Sequence, residues 1–482
     1  MANTPSPSVT RFSFIAHALR GDGPFRPVVQ DYGDNNAKLS GRSYLVRYPR
    51  ESDAKFARRN EIAFYASPLA MASSRFVGYL STKAVSRELP NQQYQRIAED
   101  VDGKGNSVDV FWSQFAFEAK ARGSMLLLVD APAAMATTQQ QQLQDRVLPY
   151  WTAIAPESVT DYELGDDGKF DFVEFAGNVK REDGLRVECT WRFDRFRWEA
   201  RGEAGSVIRG GEHSLGETPV LIFTESGDFP SFGPFAAIAD ISRRLFNAES
   251  ELDEILRSQT FSLLTMQVPD DSSAEQKLAA AQVAGQSIGT SNLMVHSGST
   301  PAFIAPPDGP ARVYLDRIKR LEAKIDEVGL NVATVNAQES GIAMQMRFQA
   351  INGELSRFSL RMEDLERRAW DLCRRWLSMQ QAPSVQWPRD FNIADVEHEL
   401  KILADMQAAG MPAEVIAEQQ KRIVTLQFAG LDTAAKDALT AAIDERPLEP
   451  EGTGNVVPLR PDPDAGLREA LEQRLRSGRA GA

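Results

Sequence analysis

Cysteine is almost missing: Cys189 and Cys373 are the only two in 482 residues, far apart and without a partner motif. That excludes a disulfide framework and a cysteine-built metal site, and fits synthesis in a reducing cytoplasm. Histidine is as scarce. His17, His213, His296 and His398 are scattered, and His398-Glu399 lacks the second histidine that a zinc-protease helix requires. No apolar run approaches the roughly 18 residues of a membrane span. The opening Met-Ala-Asn-Thr-Pro-Ser-Pro lacks the charged start and apolar centre of a secretory signal. The expectation is a soluble protein, cytoplasmic when made, with no membrane partner. Positive charge is also short: 54 Lys and Arg face 67 Asp and Glu, a formal −13. A protein that grips DNA by neutralising phosphates is usually basic, so this balance disfavours a static DNA binder. It leaves room for local basic patches and for a protein that handles DNA without gripping it.

The motifs of catalysis are missing too. Phosphate-handling motors need a Gly-rich loop followed by Lys and Ser or Thr; Asp102-Gly-Lys-Gly-Asn-Ser107 has the wrong spacing and no preceding strand, and reads as a turn into a helix. No Gly-x-Ser-x-Gly elbow occurs, and Asp166, Asp167 and Asp171 lack calcium-loop spacing. Glu249, Glu251, Asp253 and Glu254 crowd four acids into six residues, which is usually a solvated helix face. We expect no enzyme activity, no cofactor and no metal.

What is present is an ordinary globular composition, 42% hydrophobic and 25% charged, in a chain long enough for two to four sub-domains. Residues 1–50 are rich in turn formers and read as a flexible arm. Residues 51–79 look helical, with Ile62, Tyr65 and Leu69 at helical spacing. A helix is predicted over Val108–Arg122, ended by Gly123, then a buried strand at Met125–Val129. The stretch 139–142 reads as an exposed loop. Residues 147–225 are β-rich: Val187, Cys189, Trp191 and Phe193 alternate with period two, and Asp166-Asp167-Gly168 supplies a turn. Arg192, Phe193, Arg195, Phe196, Arg197 and Trp198 interleave basic and aromatic residues, either as a nucleic-acid stacking surface or as an ordinary sheet with one polar face.

Three periodic helices follow. The first carries Ile238, Ile241, Leu245, Ala248, Leu252 and Ile255, and the second Tyr314, Ile318, Leu321, Ile325 and Val328. The third runs Met344, Phe348, Ile351, Leu355, Phe358, Met362, Leu365, Ala369, Leu372 and Trp376. Steps of three and four put a narrow apolar seam along each rod, and the third rod is about 50 Å long. Either the rods bundle within one chain, or seams such as Ile351, Leu355, Phe358, Met362 and Leu365 pack rod against rod in an oligomer. Between the first two rods lies a small β-containing excursion, 262–310, with the apolar run Phe261–Val268, a strand-like Ser291–His296 and several prolines. Between the second and third, 331–339 is a short polar loop. Two further helices are predicted near 393–409 and 413–428, and most of the proline-rich tail after Glu445 reads as disordered.

These pieces, in this order, resemble the portal proteins of tailed bacteriophages. Tyr48-Pro-Arg-Glu51, Arg59, Phe64-Tyr65 and Gly78 are similar to the first wing segment of one portal family, and Phe115–Asp130 to its next helix–strand unit. Arg146-Val-Leu-Pro-Tyr150 with Pro156-Glu157 resembles a strand signature, and His213-Ser-Leu-Gly-Glu-Thr-Pro219 a connector. Residues 234–255, 307–329 and Glu339-Ser-Gly-Ile-Ala343 resemble the helix before the clip, the return helix and the lead-in to the long helix. The N-terminal 45 residues and the tail lie outside the match.

The resemblance implies an α+β portal fold with a mixed wing, helical stem, small β-containing clip, long helix and α-helical crown. It places an arm at 1–45, wing at 46–232, stem helices at 233–260 and 311–329, clip at 261–310 and tunnel loop at 330–341. The long helix of the wing falls at 342–390, the crown at 391–445 and a disordered tail at 446–482. It implies a homo-oligomeric ring, usually a dodecamer, at the capsid vertex of a virion and assembled in the host cytoplasm. The implied partners are double-stranded DNA passing through the channel, the terminase large subunit, head–tail connector or adaptor proteins and the major capsid protein. Asn331, Thr334, Asn336, Gln338 and Glu339 would form the tunnel loop, and Glu249, Glu251, Asp253 and Glu254 an acidic stem face that repels phosphate. The alternatives are a smaller head–tail adaptor or minor capsid protein, and a nucleic-acid-binding protein using residues 192–198.

Overall fold

The computed structural model describes residues 7–30, 37–132, 146–181, 183–260, 263–267, 293–296, 303–304, 309–330, 341–391, 396–427 and 433–444, with a few isolated positions between them. The fold is α+β. Two compact units divide it, Met1–Asn392 and Ile393–Ala482. In the first, α1 (Pro7–Arg20), β1 (Val28–Gln30), β2 (Lys38–Ser40), α2 (Asp53–Ile62), α3 (Pro68–Leu80), β3 (Ser86–Glu88), α4 (Gln92–Glu99) and α5 (Val108–Arg122) come first. Strands β4 (Ser124–Asp130), β5 (Tyr150–Ile154), β6 (Val159–Leu164), β7 (Phe170–Lys180), β8 (Arg186–Asp194), β9 (Arg197–Arg201), β10 (Val207–Glu212) and β11 (Val220–Thr224) follow. Then come α6 (Ala236–Thr260), β12 (Leu263–Gln267), β13 (Leu293–His296), β14 (Phe303–Ile304), α7 (Gly309–Val328), α8 (Gly341–Trp376) and β15 (Ser384–Gln386). The second unit holds α9 (Val396–Ala408), α10 (Ala413–Gln427) and α11 (Thr433–Asp444). Its buried Glu399 carboxylate accepts from Gln419 Nε2 at 2.5 Å and pairs with Arg422 at 3.1 Å.

The centre of the first unit is the antiparallel sheet β11–β4–β5. Its middle strand is an uninterrupted apolar run because both faces are covered. Met125, Leu127 and Val129 point into a helical core with Phe76, Phe115, Ile238, Phe358 and Met362. Leu126 and Leu128 point the other way, onto Val173, Phe175 and Phe193 of the five-stranded antiparallel sheet β10–β9–β8–β7–β6. Gly123 ends α5 with φ +82°, and its N–H donates to Ala119 O at 2.7 Å. Here the turn requires glycine, since an added Cβ would lie 1.7 Å from Gly233 N.

Three expectations need correction. The described part of 1–45 is no arm: Phe12, Ile15, Ala16 and Leu19 of α1 are buried, one helical face that the flanking prolines and glycines masked in the sequence. Residues 51–79 are not one helix. They break at 63–67, because Pro68 opens α3 and restricts the residue before it, so Tyr65 sits in the connector, stacked on Phe25 with its hydroxyl donating to Ala18 O at 3.0 Å. A third helix, α11, follows the two expected near 393–428. Residues 446–482 and most of 139–142 lie outside the described residues.

Candidate functional site

The segment that joins the first two rods is built as its sequence suggests. α6 and α7, about 37 and 30 Å long, pack against each other as an antiparallel pair. Gly329 at the end of α7 meets Ile238 near the start of α6, and further along the Tyr314 hydroxyl donates to Glu251. Ile238, Leu245, Ala248 and Leu252 of the α6 seam are buried, and so are Ala311 and Ile325 of α7. Between them the excursion closes a three-stranded sheet of order β13–β12–β14. Leu264–Gln267 pairs parallel with Leu293–His296, and Leu263–Leu264 pairs antiparallel with Phe303–Ile304.

The third rod behaves differently from the oligomer-seam expectation. Ile351, Leu355, Phe358, Met362 and Leu365 lie inside the chain's own core, each 6% exposed or less. Their seam is filled by α3, α5, β4 and β11: Phe358 packs edge-on against Phe76 at 5.2 Å and against Phe223 at 5.4 Å, and Lys120 of α5 lies over its ring. Fully burying such side chains contributes about 1.5–3 kcal/mol each, so this seam serves folding and has no free surface left for a neighbour. α8 is about 54 Å long because it crosses the whole helical core.

The four acids of α6 do not form one face. Glu249 lies beside Asp253 and Glu322 of α7; burial first, then these two carboxylates, raise its pKa. Glu251 turns to Tyr314, whose pKa is raised chiefly by that hydrogen bond. Glu254 pairs with Lys55 at 3.1 Å and approaches Arg257 at 3.9 Å. About 100° of rotation per residue spreads neighbouring positions around a helix, so closeness in sequence does not make a shared face. Asn331, Thr334, Asn336, Gln338 and Glu339 lie outside the described residues.

The basic–aromatic run 192–198 is absorbed by its own sheet. Arg192 pairs with Glu174 at 2.6 Å and lies 3.9 Å over the Phe172 ring, while Arg201 reaches the same carboxylate at 3.2 Å. Arg195 pairs with Asp171, and Arg197 approaches Asp194 at 3.9 Å. Phe193 is buried, and Trp198 leans on Trp191. The pairing of these arginines with acids favours the reading of an ordinary sheet with one polar face, while Phe196 stays 63% exposed between Arg195 and Arg197. The turn at 102–107 is as expected: Asp102 accepts from the Lys104 and Asn106 backbone N–H groups, and Ser107 caps α5.

Sequence reasoning missed a buried ionic cluster. Lys120 of α5 is wholly enclosed; its Nζ donates to Glu225 Oε1 at 2.5 Å and to Glu354 Oε1 at 2.9 Å. It also lies 4.3 Å from the centre of the Phe76 ring and 4.6 Å from that of Phe235. Burial pushes the Glu225 carboxyl up to about 7, against the pull of Lys120. Glu354, which also pairs with the exposed Arg357, is lowered because Lys120 and its hydrogen bonds outweigh its burial. A second buried pair, Arg59 with Glu51 at 3.0 Å, ties α2 to the chain before it, and Arg59 donates to Ser250 Oγ of α6. The two carboxylates lie 105 and 234 residues from Lys120, so no local pattern signals the cluster. Among the described residues, no three His, Cys, Asp or Glu side chains gather as a metal site, and no helix is long and apolar enough to cross a membrane.

No protein-family model and no curated protein matches the chain. Among solved structures, it is similar to a chain in the virion of a native gene transfer agent (GTA) particle, at 11% identity and TM-score 0.38, covering 89% of this chain and 99% of that one. It is also similar to chains of two GTA necks. One, from an empty particle computed with C6 symmetry, has 12% identity, TM-score 0.43 and coverage of 78% and 90%. The other, from a native particle computed with C12 symmetry, has 10% identity, TM-score 0.39 and coverage of 77% and 89%.

Proposed function

We propose that the chain is a portal ring subunit of a phage-like particle, a structural protein through which double-stranded DNA passes during packaging and ejection. The observation that carries this reading is the antiparallel α6–α7 pair bearing a small mixed sheet at its far end, followed by the 36-residue α8. That is the stem–clip–stem–long-helix order which the sequence resemblance calls for. In this reading α6 and α7 are the stem, β12–β14 belong to the clip, 330–341 is the tunnel loop, and α9–α11 belong to the crown. The terminase large subunit, head–tail connectors and the major capsid protein are its partners at the portal vertex, and it carries out no chemistry of its own. Negative-stain images of the purified chain, without DNA, test the reading. Rings of about twelve subunits with a central hole are expected; monodisperse monomers across salt and concentration would overturn it.

A further inference from the structure

The two flanks of the α6–α7 pair carry opposite charge. With the seam Tyr314, Ile318, Leu321, Ile325 and Val328 turned to α6, a rotation of about 100° per residue sets Arg317, Arg320 and Lys324 on one flank, within about 60° of one another. All three are exposed, and no ion pair joins them to the described residues. Like charges three and four residues apart repel one another on a lone helix, and Asp316, four before Arg320, and Glu327, three after Lys324, offset part of that repulsion from the stripe's outer edge. The same rotation sets Glu322 and Asp326 on the opposite flank. Because the helices run antiparallel, Glu249 and Asp253 of α6 fall on that acidic flank, as the mutual effect of Glu249, Asp253 and Glu322 requires. On the basic flank Arg244 of α6 adds a further cation, and the two α6 acids on that side are already engaged: Asp240 pairs with Arg11 at 2.5 Å and the Glu251 carboxylate accepts from Tyr314. Asp316 falls on the outer side, away from α6, while Glu327 lies within about 20° of Arg320 and Lys319 within about 20° of Asp326, so each flank carries one opposite charge at its outer edge. Each flank also bears an exposed apolar side chain near the same end, Val313 at 67% on the basic one and Leu315 at 46% on the acidic one.

We propose that the basic flank, Arg317, Arg320 and Lys324, docks on the acidic flank, Asp253 and Glu322, of a second copy of this chain. This rests on the ring reading and deepens it by assigning the chemistry of the subunit contact. Two different, complementary surfaces on one subunit make a head-to-tail contact, which ends only when a ring closes. Arg317 to Lys324 spans about 10 Å along the axis and brackets Glu322, while Asp253, two residues past the Glu251 that meets Tyr314, lies about 7 Å beyond Arg317; neighbours related by rotation alone thus bring Glu322 against the middle of the basic stripe and Asp253 just past its Arg317 end. Charge complementarity of this kind sets partner choice and register.

Two variants test the assignment, Arg317→Glu/Arg320→Glu/Lys324→Glu with both flanks acidic, and Asp253→Lys/Glu322→Lys with both flanks basic. Each alone should lose at least tenfold in ring fraction by sedimentation and negative stain, with an unchanged circular-dichroism spectrum; the melt falls only by the part that assembly contributes. Mixed one to one, they should form rings again, because alternating subunits restore every contact in an even-numbered ring. Should the triple variant melt early, Arg320→Glu with rescue by Glu322→Lys in the partner copy makes the same test. Rings in the wild type that survive both reversals, or a mixture that stays unassembled, would overturn the flank assignment and leave the portal reading standing. A basic-flank variant that keeps its rings but loses duplex-DNA binding would overturn it in favour of a DNA contact. A wild type without rings would overturn the ring reading itself.

Discussion

Replacing Glu225 with Gln should remove a pH dependence from the stability of the first unit. The Glu225 carboxyl is buried beside Lys120, whose ammonium also meets Glu354 and three phenyl rings, and Gly233 lies against its Oε2, which has no hydrogen-bond partner among the described residues. Burial raises it from an ordinary 4.5 to about 7. The folded chain therefore holds a proton that the unfolded chain releases between these values. Stability from this group is fully present below about pH 4.5 and lost as pH rises through about 7. At about 1.4 kcal/mol per unit, the loss approaches roughly 3 kcal/mol by pH 8. Glu354 is shifted the other way, so its contribution is lost only as pH falls below the ordinary carboxylate range. His17 and His213 are lowered by burial, so they favour the fold as pH rises to about 6.5, and the wild-type-minus-variant difference cancels them. Glutamine keeps the shape and an acceptor for Lys120 but cannot ionise. Urea unfolding followed by the near-ultraviolet signal of the buried Trp112, Trp151, Trp370 and Trp387 should give similar stabilities at pH 5. At pH 8 the variant should be up to about 3 kcal/mol the more stable. A difference that stays flat between pH 5 and 8 would refute the reasoning, since it would mean that Glu225 titrates alike in both states.

Two other outcomes are expected. Gly123→Ala should cost more than the roughly 1 kcal/mol of an ordinary left-handed position, because its methyl would drive into Gly233 N; a melting temperature equal to the wild type would contradict this. If 330–341 faces a DNA channel, Asn336→Lys with Gln338→Lys should leave ring assembly intact but slow packaging or change DNA retention, more at low salt than at high. Unchanged packaging and retention in both would count against a DNA-facing loop.

Elements whose cause is local were legible in the sequence. Val108–Arg122 carries its own cap at Ser107 and its own stop at Gly123, and the structure ends the helix there. The period-two run 187–193 is a strand, and Phe261–Val268 contains one, because alternation or unbroken apolarity reports how many faces are covered. The rods were plain from their three–four spacing. What such a seam packs against is not written in it: Ile351, Leu355, Phe358, Met362 and Leu365 have the spacing of an intermolecular contact, yet α3, α5, β4 and β11 of the same chain fill it. Nor do neighbouring charges announce their neighbours, as the dispersal of Glu249, Glu251, Asp253 and Glu254 around α6 makes plain.

By itself, then, the sequence determined the bounds of those elements that carry their own cap, stop or unbroken periodicity, such as Val108–Arg122 and the rods, since these act over a few residues, but not α1, the break at 63–67 or α11. It also determined the order of rod, small sheet, rod and long rod, on which the functional proposal rests. Only the tertiary structure decided which surfaces are consumed inside the chain and which are left for a partner. It enclosed Lys120 between carboxylates 105 and 234 residues away and matched the arginines of 192–198 with acids of the same sheet. On α7 it left Arg317, Arg320, Glu322 and Lys324 exposed. Burial and pairing depend on contacts between distant segments, and those contacts exist only once the chain has closed on itself.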